Sequence, residues 1–539
     1  MTSPDLPAAE PEAEAAPAPS PSPSPEPSAQ DQAAEEGEEE SAPRVPRRRL
    51  LEYGATAAGA LVVGGFAGAA VQRVIDDARI PPTVAPPTLL DDASRLNPTP
   101  VRGVVFAGSS TSSTSEVLTP LLRRIADGQD PPLAICGVRH SMGGQSLLRG
   151  GWILDMQPLG GVVPDTANRV MRVGAGATWR EVIPVLNAAG LAPTVMQSNN
   201  DFTVGGSLSV NCHGWHTNST PIAGTVRSIR LLTAEGVVVT CGPQENAELF
   251  RLALGGYGMF GVILEADIAV VQNVLYTPDF VSVPTRDYAT TFAQRVYVAG
   301  SPVEMAYGRL SVDPYSFLDE AIIGTFTPVP DTRGAVLPLT PALNSEVARA
   351  IYRNSADSGF GKTMRWWLER EAGPWLADQA SRNSMLDEPS AVFANRTQDT
   401  TDVLHEYFIP QARLWEFVGH AKEIIPRAQG NLLNVTVRDV RRDDRTVLAY
   451  AHEDVFGLVM SFVQDRSPAG EQRMQGMTRE LIDAAIATGG SFYLPYRLHA
   501  TNEQIRRAYP SWETAMQGKD RYDPKHVFRN GLFEAYGPA

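Results

Sequence analysis

The segment Ile135–Gln145, ICGVRHSMGGQ, places His140 in a turn between Gly137 and the pair Gly143-Gly144. Glycine accepts left-handed backbone and lets peptide N–H groups come close to anionic oxygens. A second stretch, Phe202–Gly214 (FTVGGSLSVNCHG), offers Thr203, Ser207 and Ser209 as short donors, with Gly205 and Gly206 between them. A third, Leu254–Ala266 (LGGYGMFGVILEA), carries Gly258 and Gly261 into an apolar run that includes Ile263. Three glycine-rich turns, each beside a strand, suit a long diphosphate-containing ligand lying across strand ends. They match neither the dinucleotide fingerprint before a helix nor the phosphate loop ending in G-K-[ST]. Asp201 is the carboxylate nearest the second turn, either a proton acceptor or an ordinary turn aspartate. Tyr496, Arg497 and His499 follow a C-terminal strand. Arg497 there would hold developing negative charge or bind a substrate oxygen, unless the cluster is a solvated loop. His213 and His216 have H-x-x-H spacing without the acid of a metalloprotease motif, so no metal is assigned.

The elements around these residues read as an α+β protein. From Val101 to Val274, short β-branched runs (VRGVVFA, PLAICGV, WILDM, VMRVGA, IRLLTA, VVVTC) alternate with helical stretches at 116–128 and 180–190. Gly236 marks a hairpin between IRLLTA and VVVTC. Residues 275–470 form a second block of aromatic-rich strands and charged helices. Tyr307, Phe317 and Phe326 there hint at an apolar pocket, although aromatic strands more often serve a core. A helix over 471–488 opens the C-terminal segment 471–539.

The three glycine-rich segments resemble the FAD-binding domain of the vanillyl-alcohol oxidase / p-cresol methylhydroxylase (PCMH) superfamily, with cytokinin dehydrogenases the nearest pattern. The signature G-x-x-H-S-x-x-x-Q reads as Gly137, His140, Ser141 and Gln145. T-V-G-G-x-L-S reads as Thr203, Val204, Gly205, Gly206, Leu208 and Ser209. G-G-x-G-x-F-G-V-I reads as Gly255, Gly256, Gly258, Phe260, Gly261, Val262 and Ile263. Tyr493–Tyr496, Tyr522-Asp523-Pro524 and Glu406–Pro410 are weaker matches. The resemblance implies a PCMH-type FAD-binding domain of two α/β subdomains over 101–274. It implies a cap domain with an antiparallel sheet flanked by helices over 275–470, and a C-terminal segment returning to the FAD domain. It also implies FAD held by the turn residues, including Val138, Arg139 and Met142, with His213 near the diphosphate and Tyr496 and Asn530 near the ring. His140 stands at the flavin-linking position, so a covalent bond to the cofactor is expected; the place of a second link holds Asp201. The nearest members carry an aspartate five residues before the threonine, where this chain has Ser198. That leaves Asp201 or Tyr496 as base, with Arg497 as the third catalytic candidate. The implied activity is hydride transfer from a C–H next to oxygen or nitrogen (alcohol, sugar, lactone or amine) to FAD. Dioxygen, a quinone or a cytochrome would then reoxidise the flavin. An oxidative tailoring or cyclising enzyme of secondary metabolism would use the same site.

Composition bounds these expectations. The chain has 539 residues, 43% hydrophobic, with a net charge of −15. Such acidity argues against a nucleic-acid partner. Three cysteines exclude a disulfide-built fold. Residues 1–43 hold eleven acids and no Lys or Arg, so most of the charge is in a Pro/Ala/Glu-rich leader that reads as disordered. Residues 44–80 contain Arg47-Arg48-Arg49-Leu50-Leu51 ahead of the uncharged run Gly54–Val71. This resembles a twin-arginine signal and implies that export machinery; uncleaved, the run would be a membrane anchor. Residues 81–100 form a Pro-rich linker.

Overall fold

The computed structural model describes residues 89–340, 352–356, 358–373, 378–390 and 394–538. The leader, the arginine-rich signal with its Gly54–Val71 run, and the first part of the Pro-rich linker lie outside the described residues. Among the described residues, no helix is long and apolar enough to cross a membrane.

A short antiparallel ribbon, β1 (Leu89–Leu90) with β2 (Thr99–Pro100), leads into two sheets. The first is parallel, with β3 (Gly103–Phe106) and β4 (Leu133–Cys136) on either side of β5 (Trp152–Asp155). The helix Thr111–Ala126 makes the crossover from β3 to β4 past β5, burying Leu118, Leu122 and Ile125 at helical spacing. The second sheet is antiparallel. It comprises β6 (Val162–Asp165), β7 (Val170–Gly174), β8 (Leu191–Pro193), β9 (Val226–Leu232), β10 (Val238–Cys241) and the long β11 (Val262–Gln272), against which β7, β8 and β9 pair. Gly236, at φ +78°, makes the β9–β10 hairpin. Cys136, Cys212 and Cys241 are buried free thiols.

The remaining strands form one eight-stranded antiparallel sheet. They are β12 (Leu275–Pro284), β13 (Met305–Leu310), β14 (Glu320–Pro328), β15 (Ala380–Ser381), β16 (Thr400–Pro410), β17 (Asn431–Val440), β18 (Val455–Asp465) and β19 (Ser491–Phe492), in the order 15-12-14-13-17-18-16-19. The helices Leu414–Arg427 and Pro468–Ala487 pack together, and the second covers β16, β18 and β19. The architecture is α+β, with helices and several sheets. The C-terminal segment serves both parts. It gives the eight-stranded sheet its edge strand β19, then bridges Phe528 to Leu133 of the parallel sheet. Fully buried Lys519 fastens that return by donating to the carbonyls of Met259 (2.7 Å) and Phe528 (2.6 Å) and to Asp523.

Candidate active site

A cavity of about 860 Å³ lies between the two smaller sheets and the face of the eight-stranded sheet. Its floor comes from the glycine-rich turns. Gly137, Val138, Arg139, His140, Ser141, Met142 and Gln145 follow β4. Thr203, Gly205, Gly206, Ser207 and Ser209 follow the loop after β8, with His213 further on. Gly258, Gly261 and Ile263 lead into β11. All of them line this one space. Two glycines show why the type matters. A Cβ on Gly137 would overlap the Thr203 side chain, which caps the helix Val204–Ser209 by accepting from the Gly206 amide (3.2 Å). Gly261 sits at φ +143°, a conformation open to glycine alone.

The loop bearing His140 is pinned from the C-terminal segment. Gln145 donates to the carbonyls of Leu494 (2.6 Å) and Tyr496, and the Met142 amide donates to Pro495 (2.8 Å). His140 stacks on Phe202 with ring centroids 4.3 Å apart. Burial lowers its pKa, partly opposed by Asp201, whose Oδ2 lies 3.9 Å from Nε2.

Asp201 and Arg497, two of the three expected catalytic groups, do not line the cavity. The Asp201 carboxylate is turned to Ser390, accepting from its backbone amide (3.2 Å) and hydroxyl (2.5 Å). Arg497 is tied to the Asn97 side chain (3.0 Å), the Met142 carbonyl (2.8 Å) and Glu471. It therefore braces the His140 loop rather than lining the cavity. Asn530 is buried away from the cavity. It donates to the Tyr257 carbonyl (2.6 Å) and caps the helix Gly531–Tyr536. Phe317 and Phe326 are also outside the lining, whereas Tyr307 is part of it.

Tyr496 does line the cavity, and it leads to groups the sequence reading gave no role. Its hydroxyl donates to Glu406 Oε2 (3.3 Å). Glu406, on β16, is fully buried, with Oε1 2.7 Å from His213 Nε2 but off the line of a hydrogen bond. Burial opposes ionisation of Glu406, yet His213, Arg438 and Tyr496 outweigh it and hold the carboxyl below its ordinary range. Arg438, on β17, donates to Ser198 Oγ (3.0 Å) and the His213 carbonyl (3.3 Å). Across the roof Glu388 also lines the cavity, and burial raises its pKa. The signal for Glu406 was an acid inside an otherwise apolar strand, LHEYFIP. The signal for Arg438 was polar alternation along NLLNVTVRDV.

The site's geometry fits a flavin. Glycine-lined backbone forms one wall of the cavity and the His140-bearing turn another. Comparison with known proteins agrees. Residues 114–242 match the model of the FAD binding domain. The chain is 26% identical over 453 residues to cytokinin dehydrogenase 10 of Oryza sativa subsp. japonica, covering 76% of this chain and 81% of that protein. It is 27% identical over 462 residues to cytokinin dehydrogenase 3 of Arabidopsis thaliana, covering 78% and 84%. It is 31% identical over 208 residues to cytokinin dehydrogenase 8 of Oryza sativa subsp. indica, covering 34% and 39%. Fold, site and likeness together define an FAD-linked oxidoreductase. Within that class the chain has the PCMH-type FAD-binding domain and a cytokinin-dehydrogenase-like sequence pattern.

Proposed function

We propose that the protein oxidises a small molecule at a C–H bond next to oxygen or nitrogen, using FAD bound covalently through His140. The observation that carries this reading is one cavity that joins the glycine-rich turns to Glu406, His213, Tyr496 and Arg438. FAD held there would supply a two-electron hydride acceptor. The chain's own groups do the rest. Gln145, the Met142 amide and Arg497 hold the His140 turn in place. Glu406, ionised and seated between His213 and Tyr496, is the proton acceptor in place of Asp201. Arg438 holds substrate oxygen or developing negative charge, the task first given to Arg497.

Half-buried Glu388 beside the Trp215–Tyr307 pair (ring centroids 4.8 Å apart) would suit an amine-bearing substrate. Ser198 hydrogen-bonded to Arg438 puts a cation beside the cavity and favours an oxygen-bearing one. A tailoring or cyclising oxidase remains the alternative with the same site. Reoxidation by dioxygen, a quinone or a cytochrome is proposed in each case. So is export through the twin-arginine route, or anchoring by residues 54–71.

The test is acid precipitation of the purified yellow protein. Flavin should remain with wild-type polypeptide and be released from His140→Ala. Complete release from wild type would refute the covalent bond. A flavin that no alcohol, sugar, lactone or amine bleaches without oxygen would refute the reaction.

A further inference from the structure

We propose that β17 is a recognition rail for a polyhydroxylated alcohol, with Asn434, Thr436 and Arg438 as its specificity-determining residues; this rests on the oxidoreductase reading above and narrows its substrate. Alternate residues of a strand share one face. These three line the cavity, while Val435 and Val437 between them are fully buried in the opposite direction. From the first to the third the rail spans about 13 Å at strand rise. It therefore addresses polar groups spread along a ligand, not a single functional group.

The unfilled hydrogen-bonding capacity has a definite pattern. Asn434 donates through Nδ2 to Thr436 Oγ1 (3.2 Å), leaving its buried Oδ1 without a donor. Arg438 spends its terminal nitrogens on Ser198 Oγ and the His213 carbonyl, leaving buried Nε–H without an acceptor. Trp215 Nε1–H, in the same cavity, has none either. Buried polar atoms left unpaired are costly, and native sites complete them with a ligand or water. One acceptor and two donors in one space call for groups that both give and take a hydrogen bond, as hydroxyls do. An ammonium ion could serve Asn434 but neither donor, and the fixed guanidinium repels it. An alkyl chain serves none of the three.

The experiment uses the flavin-loaded protein without oxygen. It compares a six-carbon polyol, a six-carbon monoalcohol and a six-carbon alkylamine as flavin-bleaching substrates. A second arm records the thermal-unfolding shift given by millimolar polyol in wild type and in the double variant Asn434→Ala/Thr436→Val. The polyol is expected to bleach at least 100-fold faster, at equal low concentration, than either comparator. The double variant should raise its half-saturating concentration about 10-fold or more and lose the thermal shift. Arg438→Met should lose at least 100-fold, with Arg438→Lys in between. Faster bleaching by the amine or monoalcohol, or a double variant that binds polyol like wild type, overturns the rail while the oxidoreductase reading stands. A flavin that dithionite reduces but none of the three compounds does, with no thermal shift, overturns the rail; the oxidoreductase reading falls only if no sugar, lactone or other alcohol or amine bleaches it either.

Discussion

Glu471 gives the sharpest quantitative expectation, because it braces the His140 loop from a distance. Its carboxylate, at the start of the helix Pro468–Ala487, receives Arg497 and His499 Nε2 (2.8 Å). Arg497 in turn holds the Met142 carbonyl, two residues from His140. Burial alone would raise the Glu471 pKa, but the bonds from His499 and Arg497 prevail and hold it at about 2, against an ordinary 4.5. Undiscounted, that gap corresponds to about 3 kcal/mol. The side chain is 34% exposed, and solvent screening reduces the contribution to about 1–2 kcal/mol. The folded carboxyl has the lower pKa, so the contribution is complete above about 4.5 and is lost as pH falls toward 2. Buried His499 adds to the trend. Burial lowers its pKa, so below the ordinary histidine value the unfolded chain takes up the proton first and stability falls with pH. Urea unfolding of wild type and Glu471→Gln from pH 6 to pH 3.5 checks this. The wild-type advantage should shrink by about 0.5–1 kcal/mol across that range, part of the full contribution. Parallel stability curves for the two proteins would show that Glu471 is not the ionised anchor described.

Two further outcomes follow from the same geometry. Glu406→Gln keeps the shape of the site but removes the proton acceptor, and should slow substrate-driven flavin bleaching by about 10²–10⁴-fold at neutral pH; an unchanged rate would return the role to another group. Lys519→Met leaves Asp523 buried without its cation and two carbonyls without a donor, and should cost about 3–5 kcal/mol in denaturant unfolding. A cost under about 1 kcal/mol would mean that the buried pair does not secure the C-terminal return.

Much of the glycine-rich wall of the cavity was legible along the chain because it is local. A turn that brings backbone against a diphosphate needs glycine at fixed offsets, and Gly137, Gly205 and Gly258 stand in contiguous stretches with their neighbours. Period-two and period-3.6 patterning likewise marked the α+β class, since each strand and helix must turn its apolar side inward. The substrate side was not legible in this way. Glu406, Arg438 and Ser198 come from segments 32 to 240 residues apart. They meet only because β16, β17 and β18 are neighbours in one sheet whose polar face closes over the turns. Asp201 and Arg497 have the right chemistry and adjacency in sequence, but Ser390 and Glu471 occupy them. Sequence by itself determined which backbone could cradle FAD, because that depends on residue type within a few positions. Tertiary structure alone decided which charges line the cavity, because a side chain's partner is set by register and packing between distant strands.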